Sequence, residues 1–76
     1  MVIKVLGTGC AKCNELEKLV RALVAESGVA ATVEKVSDIR EIAKAGVFST
    51  PALVVDGAIK SAGSLPSRKD ILSWIT

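Results

Sequence analysis

Cys10 and Cys13 are the only cysteines in the chain, and two residues separate them. An apolar run, Val2-Ile3-Lys4-Val5-Leu6, precedes the pair, and a stretch of helical periodicity follows it. Thiols at this spacing can close a disulfide between themselves. The first N–H groups of a helix have no intrahelical partners, and the dipole is positive at that end. Cys10 falls at this helix start, where a thiol ionises below the ordinary value of about 8.5. Lys12 adds a positive charge nearby, and Ala11 and Lys12 together tune the pair. Cys13 lies three residues before Leu16 and seven before Val20, on the apolar stripe of the same helix. Cys10 is therefore the candidate nucleophile and Cys13 the candidate resolving thiol. The chain has no histidine, so the Cys–His arrangement of cysteine proteases is unavailable. Disulfide exchange needs only an attacking thiolate and a second thiol within reach. Cys10 would attack a substrate disulfide, and Cys13 would then attack Cys10 and release the reduced substrate.

Two thiolates also suit a soft metal ion, with Cu(I) held linearly between them. This carrier reading is the alternative. Zinc is a poorer fit, because it takes four ligands and the chain offers two cysteines and no histidine. Small ferredoxin-like metallochaperones place a Cys-X-X-Cys loop after their first strand but run β-α-β-β-α-β. Here a helix follows the second strand, the chain ends in a helix, and no methionine stands beside Cys10 in its loop.

The elements that must position the pair are readable in order. Val2 to Leu6 is a central strand, apolar except for Lys4, and Gly7-Thr8-Gly9 breaks it. Leu16, Leu19, Val20, Leu23 and Val24 give the stripe of an amphipathic helix from Ala11 to about Ser27, with Gly28 as its C-terminal cap. Ala31 to Val36 reads as a second strand, at an edge or half exposed because of Glu34 and Lys35. Asp38 starts a short helix, with Glu41 as the reciprocal capping partner. Ile39, Ile42 and Ala43 are its expected buried face, and Gly46 ends it. Ala52 to Val55 is a second central strand. Asp56-Gly57 is a strong hairpin signal, since both turn positions need positive φ. Ala58 to Ala62 returns antiparallel, and Ser67 opens a last helix carrying Ile71, Leu72, Trp74 and Ile75. The order β-α-β-α-β-β-α implies an α/β fold. Its sheet is mixed and four-stranded, with the first two strands parallel, the last two antiparallel and helices on both faces.

Seventy-six residues make one domain, 1–76, with a small and almost wholly aliphatic core. Ten basic and eight acidic residues are spread along the chain, and no basic cluster exceeds Arg68-Lys69. Nucleic-acid binding, which calls for a concentrated basic face, is excluded as a reading. The first apolar run, broken by Lys4, is shorter than the roughly 7–15 residues of a signal-peptide core. No run approaches the roughly 20 apolar residues of a membrane span. The expectation is a cytoplasmic protein without a membrane partner. In that compartment a Cys-X-X-Cys pair is more often catalytic or metal-binding than structural.

Cys10-Ala11-Lys12-Cys13, taken with Ser49-Thr50-Pro51-Ala52, resembles the thioredoxin-like family. The chain looks closest to its minimal, glutaredoxin-sized members, the small redox-active disulfide proteins. Gly46 through Gly57 and Gly63 through Ser67 follow their pattern, so the likeness covers nearly the whole chain. It implies a minimal thioredoxin fold and a cis Thr50–Pro51 bond beside the cysteine pair. Thr50 and Pro51 would form a ledge whose backbone pairs with an extended substrate segment. It also implies protein disulfides as substrates, no metal or organic cofactor, and a flavoprotein reductase of the thioredoxin-reductase type as electron donor. The chain departs from thioredoxin proper at Gly9, where that protein has tryptophan, and at Ala11-Lys12, where it has Gly-Pro. Lys4 stands where thioredoxin has a buried carboxylate that assists proton transfer from the resolving thiol; a lysine there is expected to snorkel past the sheet edge. The Cys-Pro-Tyr-Cys motif of glutaredoxins and their glutathione site have no counterpart here.

Overall fold

A strand with apolar residues on both faces needs cover on both, and the two central strands have it. The computed structural model describes residues 1–76. Its elements are β1 (Val2–Leu6), α1 (Ala11–Ser27), β2 (Thr32–Val36), α2 (Ile39–Lys44), β3 (Ala52–Val55), β4 (Ala58–Ala62) and α3 (Arg68–Ile75). The sheet order is β2-β1-β3-β4, with β1 parallel to β2 and antiparallel to β3, and β3 antiparallel to β4. This is the mixed four-stranded architecture that the element order implies, and the minimal thioredoxin fold that the resemblance implies.

Side chains alternate across a strand, so each central strand contributes to two cores. Ile3 and Val5 of β1 and Leu53 and Val55 of β3 face α1 and α3, where they pack with Leu16, Val20, Leu23, Ile71 and Ile75. On the opposite face Leu6, Ala52 and Val54 pack with Ile42 of α2 and Val47. The first cluster has nine buried members and the second five. The inequality follows from the helices that cover them: α1 and α3, of 17 and 8 residues, lie on one face and only the six-residue α2 on the other.

The short α2 corrects two expectations. Of Ile39, Ile42 and Ala43, only Ile42 is buried; Ile39 is 69 % exposed. Six residues make fewer than two turns, and this helix lays a single apolar side chain on the sheet. The reciprocal cap is also absent: Asp38 Oδ1 accepts from the Arg40 N–H at 2.8 Å, while Glu41 turns to Lys44 at 3.6 Å. The same shortness leaves part of the sheet face open. Lys4 is exposed there, in a hollow it shares with Val2, Glu34 and Ile59. It reaches water from the middle of the face and not around an edge.

The Asp56-Gly57 turn takes the expected form, with φ of 47° and 85°. Asp56 has a further role. Its carboxylate accepts from the Val2 N–H at 2.8 Å and its own N–H donates to the Val2 carbonyl at 2.8 Å, which pins the hairpin to the start of β1. Leu53 pairs with Ser61 and Val54 with Ile59, so Lys60 is an extra, bulged residue in β4.

On the β2 edge, Lys35 Nζ reaches Glu17 of α1 at 3.3 Å, and Glu17 also takes Arg21 at 3.1 Å. The hydrogen bond from Arg21, followed by that from Lys35, holds the Glu17 carboxyl below the usual carboxylate range. A lowered folded pKa stabilises the fold above the unfolded value, about 4.3, and that contribution fades as pH falls through the folded value. Comparing wild type with Glu17→Gln in denaturant should show wild type ahead at neutral pH and the gap closing below about pH 4. A gap that widens on acidification would contradict the ion-pair account.

Candidate active site

The chain leaves β1 with one more ladder bond, from the Gly7 N–H to the Val36 carbonyl at 2.9 Å. Gly9 then turns with φ of 96°, a conformation that side chains disfavour, and delivers Cys10 to the start of α1. Cys10 is the N-cap itself, with extended φ and ψ of −69° and 165°. Its sulfur accepts the N–H of Cys13 at 3.2 Å, in the place where a serine or aspartate oxygen usually caps. No acidic residue sits in the first turn of α1 to offset the dipole.

Cys10 and Cys13 are joined by a disulfide, with their Cα atoms 5.1 Å apart. Their surroundings differ: Cys10 is exposed, whereas Cys13 is fully buried. Ala11 and Lys12 are exposed on the turn between them. Cys13 rests on Gly7. A Cβ built on Gly7 would lie 2.8 Å from the Cys13 Cβ and nearer still to its sulfur. Gly7 does not have positive φ, so glycine is required there for space and not for backbone conformation. The sequence shows Gly7 only as a strand breaker. The available signal was its place at the end of a central strand, just before a helix that must fold back over that strand.

Thr50–Pro51 is a cis peptide, the only one in the chain. The β1–β3 register pairs Leu6 with Ala52, so one further step along the ladder sets buried Pro51 across from Gly7. The Pro51 carbonyl accepts the Gly63 N–H at 2.9 Å. Thr50 is half-buried and, with Thr8 of the cysteine loop, lines a hollow of about 290 Å³. Ile39 and Phe48 line the same hollow, and Phe48 is 92 % exposed. Phe48 carries a single signal in the sequence, that of an aromatic residue in a loop next to the Thr-Pro step.

The whole chain, residues 1–76, matches the family model described as a thioredoxin domain. It is similar to the thioredoxin of Methanothermobacter thermautotrophicus, with 42% identity over 71 residues covering 93% of this chain and 92% of the relative. It is equally similar, at 42% identity over 71 residues, to the thioredoxin of Methanocaldococcus jannaschii, of which 81% is covered. These likenesses, the bonded cysteine pair and an element order unlike that of the metallochaperones favour disulfide exchange over Cu(I) carriage.

Proposed function

We propose a division of labour between the two thiols from one premise: the chain belongs to the thioredoxin family and is a thiol–disulfide oxidoreductase that works through Cys10 and Cys13. In the dithiol form Cys10 is the nucleophile. Its thiolate attacks one sulfur of a substrate disulfide, that S–S bond breaks, and the other substrate sulfur leaves as a thiolate. Cys13 then loses its proton and attacks the Cys10 sulfur. The mixed disulfide breaks, the second substrate thiol departs, and two electrons have passed from the dithiol to the substrate.

One observation carries this assignment. The exposed sulfur is the one at the helix N-cap with an N–H aimed at it, and the buried sulfur is the one that no substrate can reach first. Ala11 and Lys12 tune the pair through their position on the first turn. Thr50 and Pro51 offer the substrate backbone a ledge at the same end of the sheet. The substrates are protein disulfides, in keeping with the thioredoxin relatives. A flavoprotein reductase of the thioredoxin-reductase type returns the disulfide to the dithiol, and a reducing compartment such as the cytoplasm suits that cycle. No helix is long and apolar enough to cross a membrane.

Limited alkylation tests the assignment. The reduced protein, treated at neutral pH with less than one equivalent of iodoacetamide, should carry the label on Cys10 and leave Cys13 free in the peptide map. Labelling that begins on Cys13 would reverse the roles.

A further inference from the structure

We propose that β2 is an interface strand, through which two copies of the chain join edge to edge so that their four-stranded sheets continue as one. The proposal is independent of the exchange reading. β2 and β4 are the two edges of the sheet. An edge strand presents a row of unpaired backbone groups, and bulges or charges are the usual means of blunting it. The β4 edge is blunted, because its pairing shifts between Leu53 and Val54 and sets Lys60 out of register. β2 has no such break. Its five residues pair with β1 in unbroken register, from Val2 with Thr32 to Leu6 with Val36.

The bonds to β1 fix which backbone groups of β2 are free. The Thr32 N–H donates to the Met1 carbonyl at 2.9 Å, and the Val36 carbonyl accepts the Gly7 N–H at 2.9 Å. Backbone groups alternate in direction along such a strand. Thr32, Glu34 and Val36 therefore aim their N–H and C=O at β1. Val33 and Lys35, with Ala31 before them, aim theirs outward.

Charge then selects the register of the join, since like charges directly opposite are destabilising. A two-fold axis at Glu34 sets that carboxylate against its own copy, and an axis at Lys35 does the same to the ammonium. An axis at Val33, perpendicular to the sheet, avoids both. Val33 exchanges two bonds with the partner's Val33, and Ala31 exchanges two with the partner's Lys35 on either side. Glu34 falls opposite the partner's Thr32, whose hydroxyl can donate to it. Lys35 falls opposite a small residue and keeps its contact with Glu17 at 3.3 Å.

The helices leave room for this join. α1 lies against β1 and β2, so the two copies of α1 come about three strand spacings apart, roughly 14 Å. Packed helices need only about 8–10 Å. The join is antiparallel, and each cysteine loop follows the C-terminal end of its β1. The two disulfides therefore point to opposite ends of the joined sheet, and both stay open to substrate.

Sedimentation equilibrium of the intact protein, from micromolar to millimolar concentration, tests the join. A monomer–dimer equilibrium is expected, with amide exchange at Val33 and Lys35 slowing as dimer forms. Val33→Pro removes the central donor from both copies without touching a bond to β1, and should weaken association about tenfold or more. Thr32 is exposed, so charges there spare the core. Thr32→Lys should tighten the dimer and Thr32→Glu loosen it, each several-fold, because the pair with Glu34 occurs twice. A chain still monomeric at millimolar concentration would overturn the proposal. So would shifts in the same direction from the two Thr32 variants, or slowed exchange confined to residues outside β2. Disulfide reduction should be unchanged in both Thr32 variants, so a loss of activity in wild type bears on the exchange reading alone.

Discussion

Cys10→Ser is expected to abolish disulfide reduction, whereas Cys13→Ala should stop turnover but leave the first chemical step intact. The serine oxygen can take over the cap bond that the Cys10 sulfur now accepts from the Cys13 N–H, since serine is among the best N-cap residues. The helix and the fold therefore survive, and what is lost is the nucleophile. At position 13 alanine is the cleaner change. The site is fully buried, and a serine hydroxyl there would be left in apolar surroundings at a cost of about 1–3 kcal/mol. With Cys13 gone, Cys10 still attacks, but nothing resolves the product. A mixed disulfide between Cys10 and the substrate should accumulate and be visible by mass spectrometry of the intact protein. Full activity in Cys10→Ser, or no trapped adduct in Cys13→Ala, would refute the assigned roles.

The second large effect is expected at a residue with no side chain. Gly7→Ala places a methyl group 2.8 Å from the Cys13 Cβ, and that Cβ is fixed to the backbone of α1. The helix must move away from β1 to admit it. Overpacking of this kind destabilises by about 1–3 kcal/mol. In a chain of this size each kcal/mol lowers Tm by roughly 4–8 °C. The two redox forms should not suffer equally. In the dithiol the Cys13 sulfur can rotate away from the added methyl, but in the disulfide Cys10 holds it in place. The oxidised form should lose more stability than the reduced form, and the equilibrium with glutathione should shift towards the dithiol. Equal losses in both forms, with an unchanged glutathione equilibrium, would show that Gly7 matters to packing alone.

Most of the architecture was legible because its signals are local. Leu16, Val20 and Leu23 mark the face of α1 by spacing, Asp56-Gly57 fixes the hairpin, and Gly28 ends the helix where expected. The cysteine pair was legible for the same reason, since a strand, a glycine break and a helix start occur in sequence around it. What escaped depends on distant parts of the chain. Periodicity identifies Ile39 as apolar but does not say whether a six-residue helix lays it on the sheet. Glu41 has the right spacing for a reciprocal cap, yet Lys44 lies close enough to compete for it. Gly7 and Cys13 meet only because α1 folds back over β1, and the bond from the Val2 N–H to the Asp56 carboxylate spans 54 positions. Such contacts are decided by tertiary packing, which overrides local pattern.

The unequal size of the two cores bears on how the molecule breathes. The redox centre rides on α1, which is anchored in the nine-member cluster. The segment from Ile39 to Phe48 leans on the five-member one through Ile42 and Val47. Regions with fewer buried contacts open at lower free energy, so amide exchange should quicken first around α2 while α1 stays protected. The sulfurs thus keep a fixed geometry for electron transfer, while the α2 side of the sheet is the first part of the molecule to loosen.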